Sequence, residues 1–180
     1  MVRAASTIKL PLVLQVMELA SQGKLNLNEK LTYKRYHYNG GSGIIQKAKV
    51  GTQYTIRDLV RITVTYSDNI GFVMLRERVG KQNFINYMRK LGGKYTYTNG
   101  VNTTSASDMV AYWDYLYNFS QRSPLGKELI NYLKHTIYNT TILTGTRGVE
   151  VAHKVGMIPE SGISHDVGIV YDKNHTYLQS

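Results

Sequence analysis

Hydrophobic periodicity changes once along these 180 residues, and the change predicts an α+β fold. A helical part spans about residues 52–140, and an antiparallel sheet spans about 149–180 with the helix of residues 6–22 packed beside it. Three observations carry this reading. Leu10, Leu12, Val13, Leu14, Val16 and Met17 are apolar nearly all the way round a helical wheel, as in a helix buried on every side. Residues 55–58 and 105–108 both have the form of a capping box that opens an apolar-periodic run. From Glu150 onward the period falls to two, the signature of strands. A chain of this length fits one domain, residues 1–180, with a sizeable core.

Taken in order, the first helix starts at Ala5-Ser6-Thr7 and ends at Gly23. Residues 24–33 alternate polar and apolar and predict a short extended segment. Clustered glycines make residues 38–43 a loop. No Walker lysine follows at the spacing a phosphate cradle needs, so it reads as ordinary surface. Leu59, Val60 and residues 62–64 continue a helix from Thr55 that must break near Ser67-Asp68-Asn69, whose short polar side chains compete for backbone hydrogen bonds. Helices are then expected over 70–79, stopped by Gly80, and over 84–91, closed by Gly92 and Gly93. Residues 94–102 are polar and read as loop. Met109, Val110, Trp113, Leu116 and Tyr117 mark the next helix, and Pro124 opens another with Leu125, Leu129, Ile130 and Leu133. Residues 149–155 and 166–172 read as strands, the second turning at Lys173-Asn174 into a last strand at 175–180. The last strand leaves an open sheet edge, through which a dimer is expected.

With no cysteine, disulfides and thiolate metal sites are excluded. No stretch approaches the roughly 18 apolar residues of a membrane span, and residues 1–5 carry no secretion signal. The net charge of +10 comes from Lys and Arg scattered singly or in pairs, a solvated basic surface rather than a nucleic-acid stripe. Fifteen tyrosines keep a base-stacking surface in view, but they are not interleaved with cations on one face.

Ser6 and Lys9 are three residues apart, which on a helix brings their Cβ atoms to about 5–6 Å. Ser6 would sit where unpaired N–H groups and the helix dipole favour developing negative charge. A lysine beside it that can lose its proton makes it an acyl-transfer nucleophile. The spacing alone is weak, because Ser21 and Lys24 also fit it at a glycine-broken helix end. Ser67-Asp68-Asn69 is much rarer, although by itself it is equally a helix break. His153-Lys154-Val155-Gly156 on a strand completes an ordered set; alone, Lys154 would be a solvated strand residue and His153 packing or surface.

Ser6-x-x-Lys9, Ser67-Asp68-Asn69 and Lys154-x-Gly156, in that order, resemble the penicillin-recognising serine hydrolases, and among them most the class A β-lactamases. Residues 103–109 share the likeness. The resemblance implies a β-lactamase/transpeptidase-like fold and a serine hydrolase opening β-lactam amides or D-alanyl peptides through an acyl-Ser6 intermediate, with no metal or organic cofactor. It makes Ser6 the nucleophile, Lys9 its base and Ser67 the proton relay. Asn69 holds the substrate amide, Lys154 faces the substrate carboxylate, and Gly156 and Met157 complete the substrate-binding set. The backbone N–H groups of Ser6 and Met157 form the oxyanion hole. It also implies an extracytoplasmic location and a β-lactam or peptidoglycan peptide as partner, with no nucleic acid.

Three departures qualify it. Val155 stands where the family carries a hydroxyl. Residues 94–104 contain no Asp or Glu, whereas class A enzymes have a deacylating glutamate there; the nearest acid, Asp108, is explained by helix capping. The family's first helix, first two strands and last helix have no counterpart, so the resemblance implies a domain truncated at both ends. Slow deacylation is expected, and the alternative is a non-turnover penicillin-binding or cell-wall module on the same scaffold.

Overall fold

The computed structural model describes every residue except Thr140, Arg147, Asn174 and Ser180. The expected first helix is its centre, but it begins differently. Ala5–Ile8 form a 3-10 turn and the α-helix proper, α1, spans Lys9–Ser21. Pro11 falls in the first turn of α1, where its missing N–H has no partner to lose. Leu10, Leu12, Val13, Leu14, Val16 and Met17 are fully enclosed, as the all-round apolar pattern requires. At the far end of α1, Glu18 accepts hydrogen bonds from Tyr87 (2.7 Å) and Tyr115 (2.5 Å), tying it to its neighbours.

A two-residue strand, β1 (Val2–Arg3), precedes the turn; β2 (Lys30–Thr32) and β3 (Gln53–Thr55) follow α1. The helical part is α2 (Ile56–Thr65), α3 (Asn69–Val79), α4 (Lys81–Lys90), α5 (Ala106–Arg122) and α6 (Pro124–Lys134), with β4 (Thr103–Thr104) before α5. Both capping boxes hold: Thr55 and Ser105 accept from the N–H groups of Asp58 and Asp108. A short helix, α7 (Ile142–Gly145), leads to β5 (Glu150–Ile158), β6 (Ile163–Tyr171) and β7 (Thr176–Gln179).

These last three form an antiparallel sheet in the order β5-β6-β7, with Lys154 opposite Val167. One face packs on the main core around α1, and the other carries a smaller cluster of Ile142, Val151 and Val170 under α7. β1 pairs with β4 and β2 with β3. β1, β3 and β4 were not expected, because two or three residues cannot show alternation. The extended segment at 24–33 is a strand only at 30–32, and α4 starts three residues earlier than its apolar pattern. β5 and β6 run three residues further at the hairpin end than the sequence reading allowed. Of the expected last turn and strand, Asn174 and Ser180 lie outside the described residues.

Candidate active site

The serine and lysine of the first motif meet as their spacing predicts. Ala5 takes a left-handed conformation (φ 48°) that swings the chain from β1 into the 3-10 turn. Lys9, almost wholly buried, then lies on the same side as Ser6, with Nζ 2.8 Å from Ser6 Oγ. Its Nζ also lies 2.6 Å from the carbonyl oxygen of Ser67, 2.7 Å from Asn69 Oδ1 and 3.2 Å from Ser67 Oγ. Burial pulls the Lys9 amine down from 10.5 to about 7, against the Asp68 carboxylate, which favours its charge. The shift corresponds to roughly 5 kcal/mol of destabilised charge.

The second motif serves as both helix break and site. Asp68 caps α3, its Oδ1 accepting from the N–H groups of Ile70 (2.9 Å) and Gly71 (2.8 Å). Its Oδ2 accepts from Ile44 (2.6 Å) and Ile45 (2.9 Å). Ser67, just before it, is left-handed (φ 50°), a conformation worth about 1–3 kcal/mol of strain in a non-glycine residue. Its carbonyl is held by Lys9 and by Ser42 Oγ at 2.6 Å.

That contact corrects the reading of residues 38–43 as ordinary surface. Ser42 reaches the second motif, and the Gly40 carbonyl accepts from Asn69 Nδ2 at 2.7 Å. Gly43 has a φ of 113°, and a Cβ there would stand 2.2 Å from Asp68 Oδ2, so only glycine fits. One side-chain hydroxyl and one backbone carbonyl do this work, and a glycine-rich loop with one serine was the only trace of it in the sequence.

Lys154 on β5 is fully buried and donates to Ser67 Oγ (2.9 Å) and the Val155 carbonyl (2.6 Å). Burial first, and the charge of Lys9 second, hold its amine well below the usual lysine range, while Asp166 opposes them. Gly156 lets β5 pass close to the nucleophile turn: a Cβ there would meet Thr7 N at 2.9 Å and Ser6 N at 3.1 Å. His153 is buried, with Nδ1 2.8 Å from Asp166 Oδ1. It packs in the fold and has no hydrogen bond to Ser6, Lys9 or Ser67 among the described residues.

A cavity of about 70 Å³ joins these parts, lined by Ser6, Ser42, Ser67, Tyr138, Val155 and Met157. Asn69 and Lys154 are hydrogen-bonded to groups that meet there, Asn69 to Lys9 Nζ and Lys154 to Ser67 Oγ, and Gly156 lies against the backbone of Ser6 and Thr7. Tyr138 was not anticipated, since it lies in an aperiodic stretch after α6. A larger cavity of about 420 Å³, bordered by Thr7, Met109 and Ile142, does not have Ser6, Lys9, Ser67 or Lys154 in its lining.

Residues 94–104 bring no carboxylate to the site. Asp108 is buried and accepts from the N–H groups of Lys94 (3.1 Å) and Tyr95 (2.9 Å) besides its capping role. Among the described residues no three His, Asp or Glu side chains gather as metal ligands, and no helix is long and apolar enough to cross a membrane.

The sequence profile of a family described as the beta-lactamase enzyme family matches residues 1–180. No curated protein matches the chain by sequence. The solved structure of PBP-A is similar at 27% identity and a TM-score of 0.89, over 98% of this chain and 70% of that one. A PBP-A mutant solved as an acyl-enzyme complex with penicillin G is similar at 26% identity and 0.88, with the same coverage. A variant of the class A beta-lactamase of the last common ancestor of Gram-negative bacteria reaches 25% identity and 0.85, over 98% of this chain and 72% of that one.

Proposed function

This chain belongs to the beta-lactamase enzyme family, and from that premise we propose that it is a serine acyl hydrolase that opens β-lactam amides, or D-alanyl peptides, through an acyl-Ser6 ester. The observation that carries the reading is the 2.8 Å contact between Ser6 Oγ and an amine brought to about 7. A neutral Lys9 takes the Ser6 proton as Oγ attacks the carbonyl carbon. The oxyanion is held by the backbone N–H groups of Ser6 and Met157. Ser67, hydrogen-bonded to both lysines, passes a proton to the leaving nitrogen as the C–N bond breaks. Asn69 holds the acyl-side amide, and Lys154 orients the Ser67 hydroxyl from β5. No metal or organic cofactor takes part.

Release of the acyl group needs a base to activate water. Losing a positioned general base typically costs about 10²–10⁴ in rate. With Asp108 committed to backbone donors and no acid in residues 94–104, the acyl-enzyme is long-lived. The same absence favours a second reading, a penicillin-binding or cell-wall interaction module that does not turn over. In both readings the ligand is a β-lactam or peptidoglycan peptide, the protein works outside the cytoplasm, and nucleic acid is not a partner. The outer edge of β7, bonded only to β6 within the described chain, supports pairing with a second copy.

Incubation with penicillin G followed by mass spectrometry tests the proposal. One drug mass on the Ser6 peptide, lasting minutes to hours and absent in Ser6→Ala, is expected. Rapid multiple turnover of a chromogenic cephalosporin would overturn the slow release. No label on Ser6 under any condition would overturn the acyl-serine mechanism.

A further inference from the structure

A neutral lysine that serves as a base has two N–H groups and one lone pair, and only the lone pair takes a proton. The two oxygens closest to Lys9 Nζ are acceptors alone: the Ser67 carbonyl at 2.6 Å and Asn69 Oδ1 at 2.7 Å. They engage both N–H groups and leave the lone pair for the Ser6 hydroxyl at 2.8 Å. A further neighbour, Ser67 Oγ at 3.2 Å, is already bonded to Lys154. The aim of the base is therefore set by where two carbonyl oxygens stand.

Both oxygens are held from the loop at residues 38–43. Asn69 Nδ2 donates to the Gly40 carbonyl (2.7 Å), which fixes which end of the amide faces Lys9. Ser42 Oγ lies 2.6 Å from the Ser67 carbonyl and 3.4 Å from Asn69 Oδ1. A hydroxyl has one proton, and the shorter contact takes it. The Ser67 carbonyl thus accepts twice, from Lys9 and from Ser42, using both of its lone pairs. Ser67 needs such a hold, because its left-handed backbone (φ 50°) persists only where its surroundings dictate it.

The loop itself is braced. Gln46 Nε2 donates to the carbonyls of Gly41 and Gly43, each at 2.9 Å, on either side of Ser42. Asp68 Oδ2 accepts from the N–H groups of Ile44 and Ile45. Ser42 therefore grips the second motif from a frame that does not depend on the protonation state of Lys9. Ser42 also lines the reactive cavity beside Ser6. With its proton committed to Ser67, it has no hydrogen to offer a substrate oxygen.

We infer that Ser42 is a positioning residue for acylation: it holds the Ser67 carbonyl where Lys9 must donate, and so aims the Lys9 lone pair at Ser6. The inference rests on the acyl-Ser6 reading and adds a residue to its machinery.

Single-turnover labelling of Ser6 by penicillin G, followed by intact-protein mass at several drug concentrations, separates the limiting rate from half-saturation. Ser42→Ala should lower the limiting rate about three- to thirtyfold, the effect of one lost hydrogen bond and a misaimed base. Half-saturation should stay within about twofold of wild type, because no contact to the drug is removed. Ser42→Val should behave as Ser42→Ala does. Ser42→Thr, which matches Ser42→Val in bulk but carries a hydroxyl, should recover most of the rate. A Ser42→Ala protein whose half-saturation rises while the limiting rate is kept would overturn the inference in favour of a direct substrate contact. Equal limiting rates for Ser42→Thr and Ser42→Val would overturn it as well, since the hydroxyl would then be without effect. In both cases a labelled wild-type Ser6 leaves the acyl-serine reading intact. No label on Ser6 in the wild-type protein would overturn both. The comparison of Ser42→Thr with Ser42→Val decides the matter even if Ser42→Ala fails to fold.

Discussion

Lys9 and Lys154 close on one hydroxyl from two sides, with their amine nitrogens 3.2 and 2.9 Å from Ser67 Oγ. Two ammonium groups in a buried site repel each other and are both poorly solvated. The site therefore holds less than its formal charge, which is what a base for Ser6 requires.

The rate of Ser6 acylation should follow the neutral fraction of Lys9. It should rise through an apparent pKa of about 7, about tenfold per pH unit below that value, and level off above it. Lys9→Met should lower the rate by about 10²–10⁴ and abolish the limb. Stopped reactions from pH 5 to 9, read by mass, check both.

Stability should also depend on pH, in a definite direction. Lys9 sits at 10.5 in the unfolded chain and about 7 in the folded one, so between those values the unfolded state binds more protons and stability rises with pH. Lys154 acts in the same sense. Tyr112, Tyr132 and Tyr171, raised from 10.0 to about 12, act oppositely: the unfolded chain loses those protons first, and stability falls as pH climbs past 10. Urea midpoints should therefore peak at about pH 9–10. The rise from pH 7 should be at most about 1.4 kcal/mol per pH unit for each lysine, and Lys9→Met should make it shallower, leaving the share of Lys154.

Gly156→Ala would place a methyl 2.9 Å from Thr7 N and 3.1 Å from Ser6 N. The turn must move away, displacing the nucleophile and one oxyanion donor together. Acylation should fall by about 10²-fold or more, in line with loss of an oxyanion donor. Thermal unfolding should remain cooperative, which separates the effect from misfolding.

Asp68→Ala removes the acceptor of four backbone N–H groups, orphaning donors in α3 and in the loop at residues 44–45. Stability should drop by about 3 kcal/mol or more, measured by urea denaturation. Acylation should also fall, since Ser42 and Gly40 would lose their register on Ser67 and Asn69.

The sequence displayed the parts of the site that are side chains in fixed local patterns. Ser6 with Lys9 lies within one turn, and Ser67-Asp68-Asn69 announces itself because Asp68 must also cap a helix. Lys154 and Gly156 follow the strand period. What stayed hidden depends on tertiary contact. Gly40 acts through a carbonyl and Ser42 through a loop whose shape only Gly43 betrays. Tyr138 belongs to no period, and the buried His153–Asp166 pair reaches only its neighbour Asn139. The fold was legible wherever an element was long enough to repeat. Two-residue strands such as β1 and β4 exist only as a pair, from register between distant residues.

The three groups that converge on the cavity come from well-separated parts of the chain: Lys9 and Ser67 are 58 residues apart, Ser67 and Lys154 are 87. Local helices form in microseconds, but contacts of such separation must await loop closure and packing. A refolding chain should therefore recover its helical circular dichroism before it can be acylated, because β5 has to dock against the nucleophile turn last. Penicillin added at intervals during refolding would act as a clock, each labelled molecule marking one chain that had completed its longest-range contacts.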